Sequence, residues 1–289
     1  MLIVLLIGQM LMWTLYGNIT VFYPPFVKKQ FDDSINSLLI GIILAMFELS
    51  VLISSPVVSL LLQKVGRKRF IIIGNSCTMA ATAGFGLTYH IKDATVFLIV
   101  SISLRLVQGF GDAACSTAIF SIIAQEFPEK RDEFLGYVEA AVGVGLMSGP
   151  VIGQVIFNLT NYEWTFYISG ILISFSLIAQ IIYVPSSFNQ RKEEHRDDTL
   201  KTMQSTKLTF GNLLTNRRAM VAAVSAIFAM VFMLFMGPIM ADYYGDPDEG
   251  LGVREKNIGY FIFMPSLVYS LSCALVSYFT KCISRVFLT

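Results

Sequence analysis

The chain has 289 residues, of which 55% are hydrophobic and 14% charged, and its formal net charge is +1. A soluble domain carries about 25% charged residues, and a soluble fold would leave the long apolar blocks of this chain in water, which excludes a soluble enzyme. The small net charge gives no basis for a nucleic-acid partner, and two histidines with four scattered cysteines predict neither a metal site nor a cofactor.

The apolar blocks, taken in chain order, predict an all-α membrane protein. A block of about 20 apolar residues is long enough to cross the hydrocarbon core of a bilayer. Turn signals such as Tyr23-Pro24-Pro25, Val65-Gly66 and Phe127-Pro128 separate the blocks, and Ser34 is the predicted N-cap of the second helix. The eight predicted membrane helices span residues 1–23, 36–62, 70–89, 94–124, 134–157, 164–184, 218–241 and 257–279.

The distribution of lysine and arginine predicts the orientation. These residues fall mostly in the loops after helices 2, 4, 6 and 8, and cytoplasmic loops carry such an excess. We therefore expect a cytoplasmic N-terminus. The sequence leaves open whether the protein lies in the plasma membrane or in an internal vesicle or vacuole membrane.

The long polar stretch at residues 185–217 predicts the domain organisation. It is typical of a solvated cytoplasmic linker, although a regulatory site is an alternative. The linker would join an N-terminal six-helix half, residues 1–184, to residues 218–289, an incomplete second half. The chain ends at Thr289, four apolar residues into a predicted ninth helix, and we interpret it as truncated.

Three segments combine small and basic residues in distinctive patterns, the first being the loop after helix 2. It contains Gly66, Arg67 and Lys68. The glycine permits a tight turn, and the cations are expected to hold the loop at the anionic cytoplasmic leaflet.

The second segment, in helix 4, contains an arginine at mid-membrane depth. Insertion of such an arginine costs at least ~2.5 kcal/mol, so Arg105 should face a partner or a wet cavity. Gln108 and Asp112 lie on the same helical face, and Gly109 and Gly111 permit close helix approach. An alternative is that Arg105 only locks helix 4 through an ion pair.

The third segment, in helix 5, has Gly145, Gly149 and Gly153 at four-residue spacing, with Pro150 expected to introduce a kink. A glycine strip lets another helix pack closely. We predict that its partner is a face of small residues around Ser270 on helix 8.

These segments resemble signatures of the major facilitator superfamily. The loop is similar to Gly-x-x-x-Asp-Arg-x-Gly-Arg-Arg, with Ser59 and Gln63 in place of the first glycine and the acid. Helix 4 resembles Arg-x-x-x-Gly-x-Gly, and helix 5 resembles the antiporter signature Gly-x-x-x-Gly-Pro-x-x-Gly-Gly, with Gln154 as the last residue. The resemblance implies a polytopic helical bundle of two six-helix halves, truncated here after helix 8, from an antiporter branch related to drug:proton antiporters and vesicular amine transporters.

Further polar residues inside the helices are candidates for coupling and for substrate contact. Glu48 in helix 2 and Glu139 in helix 5 are possible proton carriers or protonated structural hydrogen bonders. Glu48 is the expected partner of Arg105, ahead of Glu139 and Asp112. Tyr16, Asn18 and Gln108 are candidates for the substrate cavity, although an aromatic residue in helix 1 can equally be a core anchor. Related vesicular amine transporters carry an acid in helix 1, whereas the nearby polar residue here is Asn18, so amine specificity does not carry over.

We therefore expect a secondary active transporter of a small solute that works by alternating access, coupled to protons in antiport. Its expected partners are the solute, protons and the lipid bilayer, and it is expected to be monomeric. The alternative is a truncated, non-transporting membrane protein that binds a ligand or partner. Symport, uniport and the identity of the solute stay open.

Overall fold

The computed structural model describes residues 1–31 and 34–189, together with isolated positions between 217 and 271. Most of the predicted linker, helices 7 and 8 and the start of a ninth helix lie outside the described residues. The structural account therefore concerns the predicted N-terminal half.

Six long helices make up this half, and each is long and apolar enough to cross a membrane. They confirm the first six predicted helices and the all-α fold class. The helices are α1 (Leu2–Phe31), α2 (Ser37–Val65), α3 (Arg67–Leu87), α4 (Ala94–Glu126), α5 (Arg131–Leu159) and α6 (Tyr162–Tyr183).

Helix α1 is longer than predicted, because the proline pair does not end it. Pro24 and Pro25 lie inside the helix, which continues to Phe31. Interior prolines remove backbone hydrogen bonds and usually end or kink a helix. Here the residues around and beyond the prolines are held by tertiary packing, since Tyr23, Val27 and Phe31 are all buried in one apolar cluster. The predicted turn is therefore wrong.

Asparagine and aspartate side chains cap three of the helices. The N-cap of α2 is Asn36, whose side chain accepts a hydrogen bond of 3.0 Å from the Leu39 amide, so the prediction of Ser34 is wrong by two residues. Asp93 caps α4 and Asn161 caps α6 in the same way. Such caps satisfy amide groups that have no partner within the helix.

The six helices pack so that α1 contacts α5 and α6, α4 contacts α2 and α3, and α3 also contacts α6. Two clusters of buried apolar residues lie toward opposite ends of the bundle. The aromatic cluster comprises Ile19, Phe22, Tyr23, Val27, Phe31, Ile35, Ile40, Ile43, Leu44, Phe85, Phe97, Tyr162 and Phe166. The aliphatic cluster comprises Leu5, Val58, Leu62, Phe70, Ile71, Ala114, Ala118, Ile119, Ile122, Ile123, Val138 and Val184.

The glycine strip of α5 packs against α1. A methyl group added to Gly149 would lie 2.5 Å from the carbonyl oxygen of Thr14, and one added to Gly145 or Gly153 would also collide with α1. The strip is thus in contact with α1, whereas the predicted partner, helix 8, lies outside the described residues. Pro150 is buried within α5, beside the strip. The sequence spacing identified the contact face but not the helix that occupies it.

The loop between α2 and α3 is a tight turn at Gly66, whose φ of 101° confirms the need for glycine. The adjacent cations hold the loop to neighbouring helices. Arg67 Nε donates to Ser121 Oγ on α4 at 3.0 Å. Lys68 Nζ donates to the carbonyl oxygen of Ile181, in the last turn of α6, at 2.7 Å. A cation near the carboxyl end of a helix also complements the helix dipole.

Candidate functional site

Arg105 on α4 lies between the two apolar clusters and is only 2% exposed. Its Nη1 donates to Oε1 of Gln108 at 3.2 Å. Three aromatic rings face the guanidinium, with centroids 6.0 Å (Tyr16), 5.6 Å (Phe47) and 5.9 Å (Phe85) from its central carbon. These distances lie near the outer limit of about 6 Å for cation–π attraction. The rings therefore enclose the charge but compensate only part of its lost hydration.

The other nitrogens of this guanidinium are unsatisfied. Nε and Nη2 of Arg105 are buried and have no hydrogen-bond partner among the residues that the structure describes. Nor does the guanidinium form an ion pair with any carboxylate in that part of the chain. A buried donor without an acceptor costs about 1–3 kcal/mol. Within the described residues, Arg105 therefore has no anionic partner, and the expected ion pair with Glu48 is not formed there.

Helix α3 positions the arginine indirectly, through Gln108. The Nε2 atom of Gln108 donates to Oγ1 of Thr82 at 3.2 Å, and Thr82 in turn donates to the backbone of Thr78 at 2.6 Å. The approach of α3 needs a small residue on α4, because a methyl group on Gly111 would be 2.6 Å from the carbonyl oxygen of Gly74. Gly109 plays the same part toward α2, where an added methyl would collide with the carbonyl oxygen of Phe47.

Two carboxyl groups lie near Arg105. Glu48 on α2 interacts with the Tyr16 hydroxyl and with the charge of Arg105, and its Oε1 is buried without a hydrogen-bond partner among the described residues. Asp112, one helical turn beyond Gln108, interacts electrostatically with Glu48. We call Glu48, Arg105 and Asp112 the charge cluster.

A hydrogen-bonded chain connects the charge cluster to α1. Asp112 is 5% exposed and accepts from the Ser116 hydroxyl at 3.4 Å. The same hydroxyl accepts from Nε2 of Gln9 at 2.6 Å. Two hydrogen bonds in series therefore link the carboxylate of Asp112 to α1, so a change in its charge would alter the contact of α4 with α1.

A small cavity adjoins the charge cluster. Its water-accessible volume is about 10 Å³, which is enough for about one water molecule. The cavity is lined by Met12, Leu15, Tyr16, Phe47, Thr78, Arg105, Gln108 and Asp112.

The structure separates the remaining candidates from this cavity. Asn18 faces α5 and α6, where its side-chain amide donates to Ser169 Oγ at 3.0 Å. Glu139 is half-buried on α5, next to Val138 of the aliphatic cluster, and does not line the cavity. Tyr16 and Gln108 do lie at the cavity, so two of the three proposed substrate contacts adjoin Arg105.

Several polar residues that complete this layer were missed from the sequence. They include Thr82, Gln9 and Ser116, described above, and a buried pair in which Asn75 of α3 donates to Gln180 of α6 at 2.6 Å. The sequence signal that could have identified them is a polar side chain within an apolar helix. Inside a bilayer such a side chain is expected to hydrogen-bond to a neighbouring helix. In the residues that the structure describes, no group of three or more potential metal ligands occurs.

Comparison with known proteins identifies the family. The sequence profile of the Major Facilitator Superfamily matches residues 5–288. The chain is 26% identical to MFS-type transporter SLC18B1 of Homo sapiens over 189 residues, covering 65% of this chain and 40% of that protein. It is 29% identical to Multidrug resistance protein 3 of Bacillus subtilis over 151 residues, covering 52% of this chain and 28% of that protein.

The chain thus spans less than half the length of these curated relatives. The family is one of transporters and not of enzymes, and its profile covers the six described helices and the sequence beyond them. On this match the chain is a multi-pass integral membrane protein that belongs to the Major Facilitator Superfamily.

Proposed function

We propose that this chain belongs to a secondary active transporter, which exchanges a small solute for protons by alternating access. Two observations support the general activity: the family match and the relatives that are named as transporters. The observation that carries the coupling proposal is the buried Arg105 guanidinium beside the carboxyl groups of the charge cluster. Two of its nitrogens have no hydrogen-bond partner in the part of the chain that the structure describes.

The proposed coupling step is the protonation and deprotonation of Glu48. When ionised, its carboxylate is attracted to the Arg105 guanidinium, and a modest movement of α2 against α4 would form the missing ion pair. When the carboxylate takes up a proton, that attraction is lost and Arg105 returns to the arrangement seen here. A proton can bias the orientation of the bundle only if the two orientations differ in their affinity for it.

Asp112 and Glu139 have different proposed parts. Asp112 and Glu48 are proposed to be ionised one at a time, because two neighbouring carboxylates repel each other when both are charged. Glu139 lies at the level of the aliphatic cluster, near the end of the bundle that carries the α2–α3 loop. We place that end, with the N-terminus, in the cytoplasm and propose Glu139 as a proton exit.

The size of the cavity separates the proton path from the solute path. Room for about one water suits proton transfer to Asp112, which lines the cavity, and to Glu48 by way of the lining residue Tyr16, but it does not admit a solute. The solute is therefore proposed to bind outside this cavity, with Tyr16 and Gln108 reached through a conformational change. Asn18 would contact it only if α1 separated from α6.

A pH titration of Trp13 fluorescence tests the coupling proposal without a known solute. The Trp13 ring lies 5.4 Å from that of Tyr16, which adjoins Glu48. With Trp164 replaced by phenylalanine, Trp13 is the only remaining tryptophan. We expect its emission in proteoliposomes to change with pH, and this change to be lost in Glu48→Gln. The change should be kept in the control Glu129→Gln, which replaces an exposed acid in the α4–α5 loop.

Uptake of ethidium driven by an imposed pH gradient then tests transport, with ethidium as a probe because one relative is named for multidrug resistance. Accumulation that is lost in Glu48→Gln supports the proposal, and Glu139→Gln should abolish gradient-driven uptake while retaining exchange. Saturable binding without accumulation favours the non-transporting alternative. Emission that is independent of pH, with undiminished uptake in Glu48→Gln and Asp112→Asn, would overturn the coupling mechanism.

A further inference from the structure

A second and much larger cavity lies at the end of the bundle opposite the α2–α3 loop. It is a groove of about 720 Å³ bounded by the last turns of α1, the segment between α3 and α4, and the junction of α5 with α6. It is separated from the charge cluster by the aromatic cluster, to which Tyr162 belongs. The coupling mechanism makes no use of this groove.

Stacked aromatic rings form one wall of the groove. Phe26 of α1 and Tyr162 of α6 stack with their centroids 3.7 Å apart and their planes inclined by 16°. Tyr89 extends this surface, with its ring centroid 6.1 Å from Phe26 and 6.3 Å from Tyr162. The wall is flat and apolar, and it would pack well against the glycerol and upper acyl region of a lipid.

Two lysines supply positive charge beside the aromatic wall. Lys29 and Lys92 both line the groove, both are exposed, and neither forms an ion pair with an acid in the described ranges. Two acids near the groove contact other groups rather than these lysines. Glu163 contacts His90 at 3.0 Å, and Asp93 accepts a hydrogen bond as the cap of α4. Within the described residues, the groove therefore presents two lysines that form no ion pair.

Exposed apolar side chains continue from the groove along the outside of the bundle. Leu87 is 59% exposed, Leu159 is 79% exposed and Trp164 is 53% exposed, and each adjoins a groove-lining segment in the chain. All three lie near the ends of helices that are long enough to span a membrane. This level corresponds to the boundary between acyl chains and headgroups, where tryptophan and lysine are commonly found.

We propose that the groove binds an anionic phospholipid, with the phosphate between Lys29 and Lys92 and the acyl chains along the exposed apolar surface. A soluble organic phosphate would satisfy the lysines and the aromatic wall equally well. The continuity of the groove with the bilayer-facing side chains favours the lipid, since a soluble ligand gains nothing from them. The site would tether α1 to the α3–α4 and α5–α6 connections.

Quenching of Trp164 by brominated lipid tests this proposal. With Trp13 replaced by phenylalanine, Trp164 is the only tryptophan and reports on lipids beside the groove. The protein is reconstituted in phosphatidylcholine bilayers with a small, equal fraction of either dibrominated phosphatidylglycerol or dibrominated phosphatidylcholine. We expect stronger quenching by the phosphatidylglycerol. Replacing both lysines by glutamine should weaken this preference about 30-fold, since each basic residue near anionic lipid contributes about fivefold.

Matched variants distinguish a local site from a general effect of charge. Lys130→Gln, which removes an exposed lysine at the opposite end of α5, should leave the preference unchanged, and Lys29→Arg with Lys92→Arg should retain it. Equal quenching by both lipids in the parent protein would overturn the proposal. Loss of the preference on addition of phenyl phosphate, but not of inorganic phosphate, would reassign the groove to a soluble organic anion. The readout does not depend on transport, so failure of the coupling mechanism would leave it intact.

Discussion

Replacing Arg105 by methionine would separate a role in coupling from a role in holding the fold together. Methionine is unbranched and apolar and fills much of the same space. It cannot attract Glu48 or bond to Gln108. If Arg105 is kept for coupling, the substitution should abolish pH-gradient-driven transport while leaving the bundle folded.

The contacts of Arg105 set the expected size of the stability change. The substitution removes one charge-assisted hydrogen bond, worth about 1.5–3 kcal/mol, and three cation–π contacts near their distance limit, worth roughly 0.5 kcal/mol each. It also relieves two unsatisfied buried donors at about 1–3 kcal/mol each, and leaves Oε1 of Gln108 without a donor at a similar cost. These terms nearly cancel. We expect a net change within about 2 kcal/mol of zero, in line with buried charges replaced by apolar residues.

Thermal unfolding in detergent, followed by intrinsic fluorescence, is the appropriate assay. Breaking a buried ion pair that locks a helix costs about 3–5 kcal/mol, and each kcal/mol lowers the midpoint by about 2–4 °C. Ser103→Ala, on the same helix, is a suitable control, because its exposed hydroxyl bonds only to the Ile99 carbonyl of its own helix and its removal should change stability little. A fall of more than about 8 °C for Arg105→Met, with little change for Ser103→Ala, would show that Arg105 is a structural lock and would refute the reasoning.

Two further predictions concern glycines. Gly149→Ala should destabilise the bundle by about 2 kcal/mol or more, because the new methyl group would lie 2.5 Å from the Thr14 carbonyl oxygen, whereas Gly170→Ala, where no atom lies within 4 Å, should be neutral or stabilising in the same unfolding assay. Gly66→Ala should cost about 1–3 kcal/mol, since a φ of 101° with a ψ of 145° is nearly restricted to glycine; an unchanged unfolding midpoint relative to Gly41→Ala, also an open position, would contradict this.

The sequence was informative wherever local geometry decides the structure. Apolar blocks long enough to cross a bilayer predicted the six described helices, because backbone polar groups in lipid must be satisfied within the helix itself. The turn at Gly66 followed from steric limits on the backbone. The Arg105–Gln108 contact followed from helical periodicity, since residues three apart share a face.

The tertiary structure decided which surfaces meet. The glycine strip on α5 was evident from its spacing, yet any helix with a compatible face could have filled it, and the structure places α1 there. The continuation of α1 through Pro24 and Pro25 likewise depended on packing around Val27 and Phe31, which no local propensity contains. The sequence also gave no indication that two nitrogens of Arg105 would lack hydrogen-bond partners among the described residues. Periodicity along one helix predicts neighbours on that helix, whereas the distance from Arg105 to Glu48 depends on how α2 and α4 pack, and that is set by side chains far apart in the chain.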